Sequence, residues 1–146
     1  MVTSVVNAVT KQLGTTFGTT YRYYVEDIEQ GVEKPCFHVS PRITLQRSTS
    51  PVLYDRTIPV VVHYFSGSLN NLKNDCYTMG ERIIECLEYL PFKNTLIRGE
   101  DISYQMVDDV LQVFITYRFT TKRDVEAAEA MNELYETVNP YLMRKD

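Results

Sequence analysis

The chain has 146 residues, of which 44% are hydrophobic and 23% charged, and its 15 basic and 19 acidic side chains give a formal net charge of −4. This length and composition predict one globular domain, residues 1–146, with a core that needs no metal or disulfide. A negative chain without clustered Lys and Arg is a poor general nucleic-acid binder, and no apolar run is long enough to span a membrane. Specific nucleic-acid binding and a membrane location are therefore not expected.

The start of the chain has neither the basic end nor the continuous apolar block of a signal peptide. Three cysteines, Cys36, Cys76 and Cys86, are far apart. An odd number without framework spacing indicates free thiols in a reducing compartment.

The first elements in chain order are a helix and two strands. Apolar residues recur at helical spacing from Val2 to Leu13, and Gly14 is expected to end this helix. Residues 21–28 are aromatic and β-branched, which favours a strand, and Gln30-Gly31 supplies a turn. A second strand is predicted from Pro35, with alternate side chains facing the core.

After a long polar connection, residues 57–65 form the strongest predicted strand. Both of its faces are largely apolar, which predicts an interior position in the sheet. Pro59 cannot donate a ladder hydrogen bond and is therefore expected at the strand's start. The predicted core face consists of Ile58, Val60, Val62 and Tyr64.

A long helix is the clearest element that follows. Apolar residues alternate by three and four from Leu69 to Leu90. Ser66-Gly67-Ser68 is expected to cap its start, and Pro91 to stop it. Its predicted core face consists of Leu69, Leu72, Cys76, Met79, Ile83, Leu87 and Leu90.

Two strands, residues 101–107 and 110–120, come next, with only Asp108-Asp109 between them, which predicts a tight hairpin. Residues 124–146 favour a helix with a thin apolar face. Strands joined by turns predict an α+β fold. We expect a mainly antiparallel sheet with the long helix and the N-terminal helix on one face, and an extended hairpin arm.

Candidate chemistry is sparse. Cys36 and His38 would share a strand face, as nucleophile and base or as half of a metal site, but a zinc site needs four ligands and a free cysteine is more often buried packing. The carboxylates around Gly31 lack the spacing of a calcium loop and indicate a solvated turn. We expect no enzyme, no catalytic residue, no metal and no cofactor.

The connection of residues 40–56 stands out, because it carries three arginines against one aspartate in a negative chain, together with apolar residues. Either two strands extend into a long hairpin, or an arm of about residues 40–57 docks on a partner of opposite charge. The candidate interface residues are Arg42, Leu45, Arg47, Tyr54 and Arg56.

Three segments in this order, "YYVEDIEQGVEKPCFHV", "RTIPVVVHYFSGS" and "NDCYTMGERIIECLEYL", resemble the tail terminator family of phages and phage-tail-like particles (bacteriocins) of Gram-positive bacteria. The family pattern is an N-terminal helix, a "Y-hydrophobic-E-x-I-x-Q-G" segment leading to "P-C-F", a strand ending "HYF" and a helix that begins near "N-x-x-C-Y". The resemblance covers about residues 1–120.

This resemblance implies a virion structural protein that assembles in the host cytoplasm as a ring, commonly a homohexamer. Such a ring caps the head-proximal end of the tail tube, ends tube polymerisation and joins tube and sheath to a collar or connector. The implied partners are further copies of the chain, the tube protein, the sheath protein of a contractile tail and a collar or connector protein. Two alternatives stay open: another head-tail connector or tail completion protein, and a small metal or thiol enzyme.

Overall fold

The structure is a computed structural model that describes residues 2–25 and 33–122. These residues form two helices, α1 (Val2–Phe17) and α2 (Leu72–Leu87), and seven strands. The strands are β1 (Arg22–Tyr24), β2 (Cys36–Pro41), β3 (Leu45–Ser48), β4 (Leu53–Phe65), β5 (Tyr89–Phe92), β6 (Thr95–Val107) and β7 (Val110–Lys122). The predicted turn at Gly31 and the predicted helix of residues 124–146 lie outside the described residues.

The strands form one sheet in the order β1-β2-β4-β7-β6-β5, with β3 paired to β4. Antiparallel pairing joins β2 to β4, β5 to β6 and β6 to β7. Both helices pack against strands of this sheet and against each other. The predicted α+β fold with a mainly antiparallel sheet is confirmed.

The pairing of β1 with β2 differs from the expectation of sequential strands joined by a turn. It is parallel, with Arg22 opposite Cys36 and Tyr24 opposite His38. A two-residue turn joins only antiparallel strands, because parallel neighbours require the chain to return to the starting end of the first strand. The prediction of a turn-joined pair here was wrong.

Residue contacts divide the chain into two compact units. Unit 1 comprises Met1–Thr44 and Thr57–Arg118, and unit 2 comprises Leu45–Arg56 and Phe119–Asp146. Every buried hydrophobic side chain within residues 2–25 and 33–122 belongs to unit 1. The prediction of one domain over residues 1–146 stays a prediction.

Helix α1 is longer than its apolar pattern indicated. It passes through Gly14 and ends at Phe17, which is buried one turn after Leu13. Gly18 ends it with a φ of 83° and donates its N–H to the Gly14 carbonyl at 2.9 Å. A left-handed residue after the last turn is a frequent helix stop, so the stop was one glycine later than predicted.

Pro59 lies well inside β4 rather than at its start, because β4 begins at Leu53. Its carbonyl accepts a hydrogen bond from the Arg42 N–H at 2.8 Å, and the paired register of β2 ends next to it, at Pro41 opposite Val60. Pro59, which has no N–H to donate, therefore lies where the hydrogen-bond ladder between β2 and β4 ends, and such a position tolerates proline.

Helix α2 starts later than predicted. It begins at Leu72 after Asn71, which makes no side-chain cap hydrogen bond. Leu69 is not part of the helix and is 96% exposed, so its placement on the core face was wrong. The Ser66 hydroxyl donates to the Asp75 carboxylate instead of capping, and the Tyr64 hydroxyl donates to the same oxygen at 2.9 Å.

Helix α2 also ends earlier, at Leu87, and Pro91 lies in β5 rather than stopping the helix. The hairpin of β5 and β6 was missed. Lys93 and Asn94 form its turn with φ angles of 46° and 63°, the left-handed values of a two-residue type I′ turn. The predicted hairpin at Asp108-Asp109 is confirmed, with φ angles of 50° and 63°.

Candidate functional site

The tip of the arm, in unit 2, is a turn held by its own hydrogen bonds. The N–H groups of Thr49 and Ser50 donate to the Leu53 carbonyl at 3.1 and 3.2 Å. The Ser50 hydroxyl accepts from the N–H groups of Val52 and Leu53 at 3.2 and 3.0 Å. Serine and threonine satisfy the backbone locally here, so the tip has a defined conformation without burial in a core.

Four of the five predicted interface residues belong to unit 2. Leu45 and Arg47 are exposed in β3, and 57% of Leu45 is accessible. The Arg56 guanidinium lies 5.1 Å from the centroid of the Tyr54 ring, within the range of a cation–π contact. The Arg56 Nε is buried and has no hydrogen-bond partner among the described residues. The structure therefore brings together an arginine–tyrosine pair on the arm.

Arg42 is placed differently, because it belongs to unit 1. Its guanidinium lies 5.2 Å from the centroid of the Phe114 ring of β7. A charge reversal at Arg42 would remove an attractive contact within unit 1, whereas no such contact holds the exposed Arg47 in the described chain. The five candidate residues do not form one set.

Cys36 and His38 lie on β2, but Cys36 is fully buried. Burial raises the pKa of the Cys36 thiol, and Lys34 lowers it by a smaller amount. A raised pKa disfavours the thiolate, which is the nucleophilic form. Within residues 2–25 and 33–122, no group of three or more His, Cys, Asp or Glu is placed to hold a metal ion.

The two histidines are cross-strand neighbours. His38 is opposite His63 in the register of β2 and β4, and their ring centroids are 5.7 Å apart. Burial lowers the pKa of His63, and His38 and Arg42 lower it further, against a smaller opposing effect of a backbone hydrogen bond with His38. The Nδ1 atom of His63 is buried without a hydrogen-bond partner in the described part of the chain. This environment favours the neutral imidazole.

A second surface, on the hairpin of β5 and β6, was missed from the sequence. Leu90, Phe92 and Ile97 are buried, and the alternate side chains on the other face are open to solvent. Tyr89 is 53% exposed and Leu96 is 62% exposed. The signal that could have found this hairpin was Lys93-Asn94 between two short alternating runs.

None of the helices among the described residues is long and apolar enough to cross a membrane. The model of a protein family described as phage tail terminator protein matches residues 4–129. No curated protein matches the sequence. A solved structure whose name states no function is 10% identical, with 84% of this chain and 92% of that chain covered and a TM-score of 0.38. A likeness at that TM-score carries no argument.

Proposed function

Because the chain belongs to the phage tail terminator protein family, we propose that it forms a ring that caps the head-proximal end of a tail tube and ends tube polymerisation. The observation that carries the proposal is the family match, which spans residues 4–129 and so includes α2, the seven described strands and all but the first two residues of α1. The ring is a homohexamer that also joins the tube, and the sheath of a contractile tail, to a collar or connector.

The arm supplies a docking surface for one of these partners. The exposed Leu45 and Arg47 belong to β3, which pairs with β4, the strand of the Tyr54–Arg56 pair, and arginine and tyrosine are enriched at protein interfaces. Two arginines against one aspartate in residues 45–56 favour a partner surface that is acidic.

The role is structural rather than enzymatic. Burial raises the pKa of all three thiols, Cys36, Cys76 and Cys86, which disfavours a thiol nucleophile. The protein assembles in the host cytoplasm and is then part of the phage or bacteriocin tail, without a cofactor.

The test uses the purified protein with its tail tube protein. Electron microscopy should show rings seated on one end of each tube, and tubes that stop growing once capped. Tubes of uncontrolled length with the protein unattached would overturn the proposal. A protein that binds the connector protein but not tube ends would favour the alternative of another tail completion protein.

The arm is tested in the same assay with Arg47→Glu. This change should reduce tube-end binding about tenfold or more, because a like charge replaces an attractive one. The matched control is Lys73→Glu, which makes the same charge change on the exposed side of α2 and should bind as the unaltered chain does. Equal loss in both variants would point to net charge rather than to the arm.

A further inference from the structure

We infer that neighbouring copies meet head to tail, with the acidic turn between β6 and β7 of one copy seated against the basic hairpin of β5 and β6 of the next. The inference rests on the proposed ring and names the contact that would build it. Both surfaces belong to unit 1 and are described by themselves below.

The basic surface surrounds the turn at Lys93 and Asn94. A groove runs beside it, and its lining includes Lys11 of α1 together with Pro91, Phe92, Lys93 and Leu96. The Lys93 ammonium lies 5.4 Å from the centroid of the Phe92 ring, which holds this cation at the rim of the groove. Two lysines thus flank an opening with a mixed lining, in which Pro91, Phe92 and Leu96 lie beside Asn94 and Thr95.

An exposed apolar patch adjoins this groove. Pro91 is opposite Leu96, and Tyr89 is opposite Arg98, so these four side chains form neighbouring cross-strand pairs on the solvent side of the hairpin. All four are exposed, with 62% of Leu96 accessible. Apolar and tyrosine side chains next to cations are the composition of an interface rather than of a solvated sheet face.

This edge of the sheet does not accept an added strand. In a two-residue hairpin, the pair that flanks the turn exchanges hydrogen bonds, and bonded pairs recur at every second residue. The bond from the Gly99 N–H to the Glu88 carbonyl, at 2.7 Å, follows that spacing. Pro91 therefore turns its nitrogen, which has no hydrogen, to the outer edge, and a partner must bind through side chains.

The acidic surface is the turn at Asp108 and Asp109. Both aspartates are exposed, and Val107, 38% exposed, is opposite Val110 at the base of the turn. The ion pairs found within residues 2–25 and 33–122 join other side chains and leave these carboxylates, Lys11 and Lys93 unpaired there. The two surfaces are complementary in charge, and each includes apolar side chains.

The occupant of each surface is a second copy, because the two surfaces lie at opposite ends of the same strand. β6 runs from Thr95 to Val107 over 13 residues, and the irregularity between Glu100 and Ser103 keeps its span below the roughly 40 Å of an unbroken antiparallel strand. Two different complementary patches at opposite ends produce a heterologous contact, which closes into a ring when the rotation between copies permits it.

The two turns allow a charge reversal that keeps the backbone. Their φ angles are 46° and 63° at Lys93 and Asn94, and 50° and 63° at Asp108 and Asp109. Each dipeptide already occupies this conformation in the same protein, so exchanging them adds no backbone strain. Variant A is Lys93→Asp with Asn94→Asp, and variant B is Asp108→Lys with Asp109→Asn.

Self-association is measured by sedimentation velocity and native mass spectrometry. The unaltered chain should associate, and A or B alone should associate about tenfold or more weakly, because each then presents two like-charged ends. An equimolar mixture of A and B should regain association through alternating copies, and a chain with all four changes should regain it alone. Monomeric unaltered protein, or unchanged association of A and B, overturns the inference.

The apolar part is tested by Leu96→Ser against Leu69→Ser, which removes a 96% exposed leucine far along the chain from either turn. The first should weaken self-association several-fold and the second should not; equal effects count against the patch.

Tube-end binding of the unaltered chain is measured separately. If the unaltered chain caps tubes and variants A and B still self-associate normally, the inferred contact is wrong and the proposed function stands. If the unaltered chain self-associates as inferred but does not bind tube ends, the proposed function is wrong and the contact stands.

Discussion

His63 shows how one residue's surroundings determine a response to pH. Its imidazole is half-buried on β4, near His38 of β2 and Arg42. The Arg42 guanidinium packs over the Phe114 ring of β7. Desolvation, and then the electrostatic effects of His38 and Arg42, disfavour the protonated ring, which is why the pKa of His63 is lowered. The folded state therefore binds fewer protons through His63 than the unfolded chain does.

We predict that this contributes acid sensitivity near pH 6. In the unfolded chain the histidine takes up its proton at about pH 6.5, whereas the folded pKa is lower. Stability from this site is complete above about pH 6.5 and is lost as the pH falls toward the folded pKa. The melting temperature of the unaltered chain should fall between about pH 6.5 and 5, and that of His63→Gln should fall less.

The control for this comparison is the pair of melting temperatures at pH 8, where the imidazole is neutral in both states. Any difference between the two melting temperatures at pH 8 reflects the packing change alone. The effect of protonating His63 is the difference between the two proteins in how steeply the melting temperature falls below pH 6.5. Identical slopes in the two proteins would contradict a lowered pKa at His63.

At the scale of the elements, apolar periodicity located the core faces of α1 and α2. Val5, Val9 and Leu13 are buried in α1, and Cys76 and Ile83 in α2, as their spacing predicts. Element ends were less predictable. Leu90 is buried, and it fits helical spacing after Leu87 and strand alternation before Phe92 equally well, so the sequence alone could not separate helix from hairpin there.

Gly99 lies where β6 packs closely against the buried Ile115 of β7. A Cβ on Gly99 would lie 2.3 Å from Ile115 Cδ1 and 2.7 Å from its Cγ1, and Ile115 is only 1% exposed. Gly99→Ala should lower the free energy of unfolding by about 1–3 kcal/mol, because a packed core resists an added methyl group. Urea titration followed by circular dichroism measures the change.

Two matched variants sharpen this prediction. Gly14→Ala makes the same substitution inside α1, where a Cβ meets no heavy atom within 4 Å, and should stabilise the fold by about 0.5–1 kcal/mol. Adding Ile115→Val to Gly99→Ala removes the clashing Cδ1 and should recover part of the loss. Destabilisation by Gly14→Ala, or no recovery in the double variant, would count against steric contact as the cause.

At the scale of the whole molecule, the family was predictable because its motifs are local. The "P-C-F" segment leads into β2 and the "HYF" segment ends β4, and these two strands are neighbours in the sheet. The candidate interface was less predictable, because a stretch of charged residues in the sequence does not show which unit of the fold each charged side chain belongs to. Arg42 and Arg47 are five residues apart in sequence, and yet they belong to different units.

The division into units predicts that residues 45–56, the part of the arm in unit 2, can be removed without loss of the core. Beyond Pro41 and Val60, the hydrogen bond from the Arg42 N–H to the Pro59 carbonyl continues the antiparallel register and brings Thr44 opposite Thr57. A two-residue Asn-Gly turn suits such a pair. Replacing residues 45–56 with Asn-Gly should leave the melting temperature nearly unchanged, because the buried hydrophobic residues of the described chain lie in unit 1.

The same variant should no longer bind tube ends, because it lacks Leu45, Arg47, Tyr54 and Arg56. Circular dichroism gives the melting temperature, and electron microscopy with tube protein gives binding, so fold and docking are read independently. Arg47→Glu is the point-variant counterpart and should lose binding with the arm's backbone intact. A shortened chain that melts far below the full chain would place stabilising contacts in the arm, and one that is folded and caps tubes normally would exclude the arm as the docking surface.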